Sequence, residues 1–212
     1  MIRVGEANER IQWGGLELKF LKDDGGWRVA GSLNCRLPFD PTGHDVLLSP
    51  ILPGEKYYLD VEPPVVMAPG SEARLAASLP VGTKVFLGDV KLGDYLPAFK
   101  RTNMGPTTAG VFATFVRSGE LYQPGIVLDL SIVNPAKESL CFDELVLDPP
   151  LLSVFEHEGN WVAERLIVYL GREEMDVKHT DSGPGRVLIR GNREKEISRR
   201  LKRFVERLKD AI

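Results

Sequence analysis

The chain has 212 residues, is 43% hydrophobic and carries a net charge of −3. It can bury a real core and is no disordered tail, and its bulk charge excludes a general polyanion binder. With 21 glycines and 15 prolines it is punctuated too densely for a helical bundle.

The first ten residues, Met1 to Arg10, hold two acids and no apolar core, so no signal peptide is read there. No apolar run approaches the ~20 residues that cross a bilayer. A cytoplasmic chain with no membrane contact is expected. Cys35 and Cys141 lie too far apart in sequence for a metal pattern or a disulfide framework. Cys141, between Leu140 and Phe142, is expected to be buried filler.

Period-two alternation then runs along most of the chain. Leu16 to Phe20 alternates apolar and charged residues, Asp23 to Gly26 reads as a hairpin turn, and Trp27 to Leu33 returns. Residues 36 to 56 show little periodicity and read as an irregular connection. Tyr57 to Glu62, Val65 to Met67, Ala73 to Leu79 and Lys84 to Leu87 read as strands, with a type II turn at Pro69-Gly70. Gly110 to Arg117, Ile126 to Val133 and Leu140 to Leu147 continue the series. Leu151 to Phe155 and Trp161 to Tyr169 form a hairpin across Glu158-Gly159-Asn160. Short strands with turns every 8 to 12 residues predict an antiparallel β-sandwich. The expected organisation is an N-terminal hairpin region over 1–56, a sandwich over 57–190, and a C-terminal amphipathic helix over 191–212.

That helix is read from Ile197, Leu201, Phe204, Val205, Leu208 and Ile212, which fall on one stripe after an N-cap at Asn192. From Arg193 to Lys209 it holds eight Lys or Arg against three Glu, whereas segment 120–181 holds 13 acids against four Lys or Arg. Three readings follow. The charges are a solvated face, or Ile197, Arg199, Arg200, Leu201, Arg203, Phe204, Arg207 and Leu208 meet a partner protein or second copy, or the arginines meet nucleic acid.

Other candidates are thinner. The loop from Leu96 to Gly110 offers Lys100, Arg101, Thr102, Thr107 and Thr108 as an anion site, against the plain reading of a connecting loop. His157, Glu158, His179 and Asp181 could converge on a divalent metal if their strands pair, although their spacing is no metal signature. Asp143 and Glu144, adjacent in a strand, are expected to point to opposite faces. There is no nucleophile elbow and no phosphate-binding glycine loop, so no catalytic residue and no cofactor is assigned.

Tyr58 to Glu72, with its run Pro63-Pro64-Val65-Val66-Met67-Ala68-Pro69-Gly70, resembles a stretch of an uncharacterised archaeal family, a domain of unknown function. The similarity returns from Arg101 to Phe115, and spans roughly residues 55 to 190. The chain departs from that pattern at Met104, where an aromatic is usual. The resemblance implies an archaeal origin and no known activity, and transfers no functional residue. The function expected from the sequence is a non-catalytic protein-binding or assembly module, acting on itself or another protein. The alternatives are polyanion binding by the basic helix, and an enzyme with its site at the 96–110 loop or at the His157/His179 pair.

Overall fold

The structure is a computed structural model describing residues 2–5, 9–104, 112–172 and 174–194. The chain is mainly β. The first half lays down β1 (Ile2–Arg3), β2 (Arg10–Trp13), β3 (Leu16–Asp23), β4 (Gly26–Gly31), β5 (Cys35–Leu37), β6 (Asp45–Ile51), β7 (Lys56–Met67), β8 (Glu72–Pro80), β9 (Gly82–Leu87) and β10 (Val90–Tyr95). The second half adds β11 (Arg101–Asn103), β12 (Phe112–Arg117), β13 (Gly125–Val133), β14 (Leu140–Leu147), β15 (Val154–His157), β16 (Asn160–Ala163), β17 (Leu166–Tyr169), β18 (Asp176–His179) and β19 (Arg186–Ile189). One 3-10 turn, Pro149–Leu151, follows β14.

These strands build four sheets. Sheet A runs β1-β6-β9-β10 and sheet B runs β2-β3-β4-β5. Sheet C runs β11-β12-β7-β14, and sheet D holds β8 and β13 with β15 to β19. Alternation decides what each sheet buries. In β3, Leu16, Leu18 and Phe20 point inward and meet Val46, Val85 and Leu87 of sheet A in one apolar cluster. Sheets C and D share the second and larger cluster, where Tyr57, Leu59 and Leu145 face Leu128, Leu130 and Ile132. Burial of such side chains contributes about 1.5–3 kcal/mol each before entropy is counted.

The reading of 36–56 as irregular is corrected. It contains β6, which lies between β1 and β9 in sheet A. Adjacent Leu47-Leu48 and the proline at position 50 hide its alternation. A purely antiparallel sandwich is also corrected. β12 runs parallel to β7, and β16 and β17 both run parallel to β13. Parallel neighbours need a long crossover, and here other strands supply it, so alternation alone does not betray it. Cys141 is exposed rather than buried, because Phe142 takes the inward position beside it on β14. Asp143 and Glu144 are both exposed. Pro63 and Pro64 cannot donate to the ladder, and the β7–β14 register jumps there from Phe142↔Val65 to Glu144↔Asp60.

Arg193 and Glu194 take helical backbone. The rest of the expected C-terminal helix, with Ile197, Arg199, Arg200, Leu201, Arg203, Phe204, Arg207 and Leu208, lies outside the described residues. No helix among the described residues is long and apolar enough to cross a membrane.

Candidate functional site

Two constellations of polar side chains stand out, one on a sheet face and one inside. The first lies on the solvent face of sheet C. Because Tyr57, Leu59 and Val116 point into the core, Tyr58, Asp60 and Phe115 point out. Register then sets neighbours abreast: Phe115 opposite Tyr58, Arg117 and Glu144 opposite Asp60, and Val146 opposite Tyr58. Tyr58, Asp60, Phe115, Glu144 and Val146, with Thr102 to Met104 at the rim, line a groove of about 440 Å³.

Its chemistry is aromatic and negative. The Tyr58 and Phe115 rings stack at 6.2 Å with a 20° tilt. The Tyr58 hydroxyl donates to Glu144 Oε2 at 2.5 Å. That bond, with desolvation and the nearby charges of Glu144, Asp60 and Asp143, pushes the phenol up to about 12. Arg117 bridges Asp60 and Glu62 at 3.7 and 3.4 Å. A second, more apolar hollow of about 830 Å³ is lined by Leu52, Pro53, Leu96, Pro97 and Phe99, with Glu55 and Arg101 also in its wall. Ring faces beside carboxylates attract a guanidinium or an ammonium, through both the ring quadrupole and hydrogen bonding to the acids.

The second constellation is buried where one strand becomes two. β8 occupies one edge of β13 along its whole length. On the other edge β16 pairs at Val127, and β17 pairs from Leu130 to Val133. Glu164 and Arg165 form the joint between β16 and β17. Glu164 is fully buried, and its carboxylate accepts from Ser153 N–H at 3.0 Å, Asp181 N–H at 2.5 Å and Arg193 Nη2 at 2.8 Å. His179 Nδ1 lies 3.0 Å from the same carboxylate. Burial alone would raise the Glu164 carboxyl, but the His179 and backbone hydrogen bonds outweigh it and hold it below its usual range. Asp181 is also lowered, by the Ser153 hydroxyl and by Arg193.

This joint is closed on itself. Ser153 Oγ donates to Asp181 at 2.6 Å and accepts from Gly191 N–H at 3.0 Å, so no hydroxyl is presented to His179. It holds the root of the C-terminal segment as well. Arg193 reaches Leu151 O at 3.3 Å, and Asn192 N–H donates to Pro150 O at 2.8 Å.

The residues singled out in the sequence fall as follows. Lys100 faces Glu120 at 4.0 Å, and Arg101 faces Glu55 at 3.1 Å. Thr102 lines the groove whose charged members are Asp60 and Glu144, while Thr107 and Thr108 lie outside the described residues. His157 and Glu158 sit exposed at the tip of the β15–β16 hairpin, whereas His179 and Asp181 belong to the joint at its opposite end. The four are not brought together. Among the described residues no group of three or more His, Cys, Asp or Glu is placed to hold a metal ion. Sequence reading missed Tyr58, Asp60, Phe115, Glu144, Ser153, Glu164 and Arg193. One signal was present for the joint: Glu164-Arg165 interrupts an otherwise apolar run from Trp161 to Tyr169.

The chain belongs to the family described as "Protein of unknown function (DUF432)", whose model matches residues 2–208. That match extends well beyond residues 55 to 190, the stretch that carries the resemblance. No curated protein and no solved structure matches the chain.

Proposed function

We propose that the chain is a non-catalytic protein-binding module whose contact surface is the solvent face of sheet C. The observation that carries this reading is the groove itself. Stacked Tyr58 and Phe115 rings, with Asp60 and Glu144 beside them, form a site for a cationic side chain of a polypeptide. A flat sheet face suits an extended or helical segment laid across it better than it suits a small enclosed substrate.

β14 sharpens the kind of partner. Among the described residues its strand neighbour is β7, on one side, and the outer side of such an edge strand is where a further strand can add. The bulge and the exposed Asp143-Glu144 pair blunt that edge against a second β14, because antiparallel pairing would bring like charges together. A basic segment meets no such repulsion. The reading includes a cytoplasmic setting and a partner that is this chain itself or another protein.

The test is a titration of a labelled peptide carrying the sequence of residues 195–212, followed by fluorescence anisotropy. Binding that weakens as salt rises, and that falls at least about tenfold in Glu144→Lys, supports the reading. No binding at low salt, either by wild type or by a variant whose own segment 195–212 carries Glu in place of Arg199, Arg200 and Arg203, overturns it.

A further inference from the structure

We infer that the basic segment 195–212 of the same chain folds back across sheet C and places its cations in the groove lined by Tyr58, Phe115, Asp60 and Glu144. The inference rests on the proposed binding role of that face and adds its resident occupant.

Charge complementarity is the first support. From Lys195 to Lys209 the segment holds seven Lys or Arg against two Glu. The groove's charged members are acids, and the exposed strand beside it, β14, adds Asp143.

Position is the second. The root of the segment is pinned where Asn192 N–H meets Pro150 O and Arg193 meets Leu151 O, Glu164 and Asp181. Pro150 lies four residues past Val146, and Val146 and Glu144 are groove residues on β14. The segment therefore starts beside the strand that carries half of the carboxylates. Reaching β7 from there means crossing one inter-strand spacing of roughly 4.8 Å, and reaching β11 means crossing three. Eighteen residues span about 27 Å even if wholly helical, so the whole face is within reach.

Tethering is the third. A short linker presents its cations at an effective concentration in the millimolar range, far above that of any dissolved competitor. Chemistry along the segment agrees with the surface. Arg199, Arg200 and Arg203 can place guanidinium planes on the rings with their forks toward carboxylates. Ile197, Leu201, Phe204 and Leu208 bring apolar area of their own to the contact. An external partner would then bind by displacing the chain's own segment, which makes the segment a built-in competitor.

The experiment compares full-length wild type with the triple variant Arg199→Glu, Arg200→Glu, Arg203→Glu, which leaves the Arg193 joint untouched. The probe is the labelled 195–212 peptide, and the mass of each chain is read in parallel by light scattering at low and high salt. The inference expects the triple variant to bind the peptide at least about tenfold more tightly than wild type, with both chains monomeric. Adding Glu144→Lys to the triple variant is expected to abolish that gain. Equal affinity of wild type and triple variant overturns the inference and leaves the binding role standing. Peptide binding by neither overturns both. A wild-type dimer that dissociates in high salt and is absent in the triple variant also overturns it, because the segment then docks on a second copy.

Discussion

At the residue scale, the acid–base behaviour of two side chains reports on the two constellations. Glu164 is wholly buried and charged, with Arg193, His179 and two backbone N–H groups as partners. Removing one side of such a buried pair is costly, because the remaining charge stays unpaired. Glu164→Gln is expected to lower stability by roughly 3 kcal/mol or more in a denaturant titration. A loss below about 1 kcal/mol would mean that water reaches the joint. Since the folded carboxyls of Glu164 and Asp181 lie below their ordinary values, their contribution is present above about pH 4.5. It is lost as pH falls through the folded values. Glu164→Gln is therefore expected to flatten the acid limb of a stability-against-pH curve. Tyr58 works in the other direction. Its folded pKa is raised to about 12, so its contribution is complete below the ordinary tyrosine value near 10 and fades as pH climbs through the folded one. Glu144→Gln is expected to bring one tyrosine back toward 10 in an ultraviolet titration. If no tyrosine moves, the Tyr58–Glu144 bond is not formed in solution.

At the scale of elements, alternation was legible wherever one face of a strand is buried and the other wet. The hairpin of β3 and β4 across Asp23–Gly26, the β15–β16 turn and the positive-φ turn at Gly70 all lie where the sequence placed them. What alternation does not carry is pairing partner and direction. β7 and β12 become parallel neighbours only after the chain has built β8 to β11 in between. The C-terminal stretch gives a sharp element test. Gly185 has φ +80°, and a Cβ there would stand 2.0 Å from Glu156 O. Both the left-handed backbone and the close carbonyl exclude a side chain. Gly185→Ala is expected to cost about 2 kcal/mol or more. The effect should concentrate in β19, whose pairing with β15 begins at Glu156↔Arg186. Hydrogen exchange should then quicken first at Arg186 to Ile189. Uniform loss of protection across all sheets would show that β19 is not a local unit. The candidate face was hidden for a related reason. Tyr58, Asp60, Phe115 and Glu144 are ordinary outward residues in their own strands, and only the registers of β7 with β12 and β14 bring them together.

At the scale of the whole molecule, the issue is whether two apolar clusters make two folding units. One cluster joins sheets A and B, the other sheets C and D. The chain does not pass from the first to the second once and stay there. After β7 and β8 it returns to lay β9 and β10 into sheet A, then leaves again for β11. Leu48 packs against both clusters. Trp13, from sheet B, stands edge-on to Trp161 of sheet D with ring centroids 4.7 Å apart. Sheet A cannot lose β9 without pulling on β8, to which Val81 alone joins it, and β8 is paired to β13 along its full length. These links argue for one cooperative transition. Trp27 lies in the first cluster and Trp161 in the second, so variants that keep only one of them, each also carrying Trp13→Phe, report each cluster separately. Their fluorescence transitions in urea are expected to share one midpoint and one slope. Trp13→Ala in place of Trp13→Phe in both reporters removes the ring contact between the clusters and is expected to draw the midpoints apart. Distinct midpoints in the parent reporters would overturn this account. They would mean that the three passages of backbone between the clusters transmit too little energy to couple them.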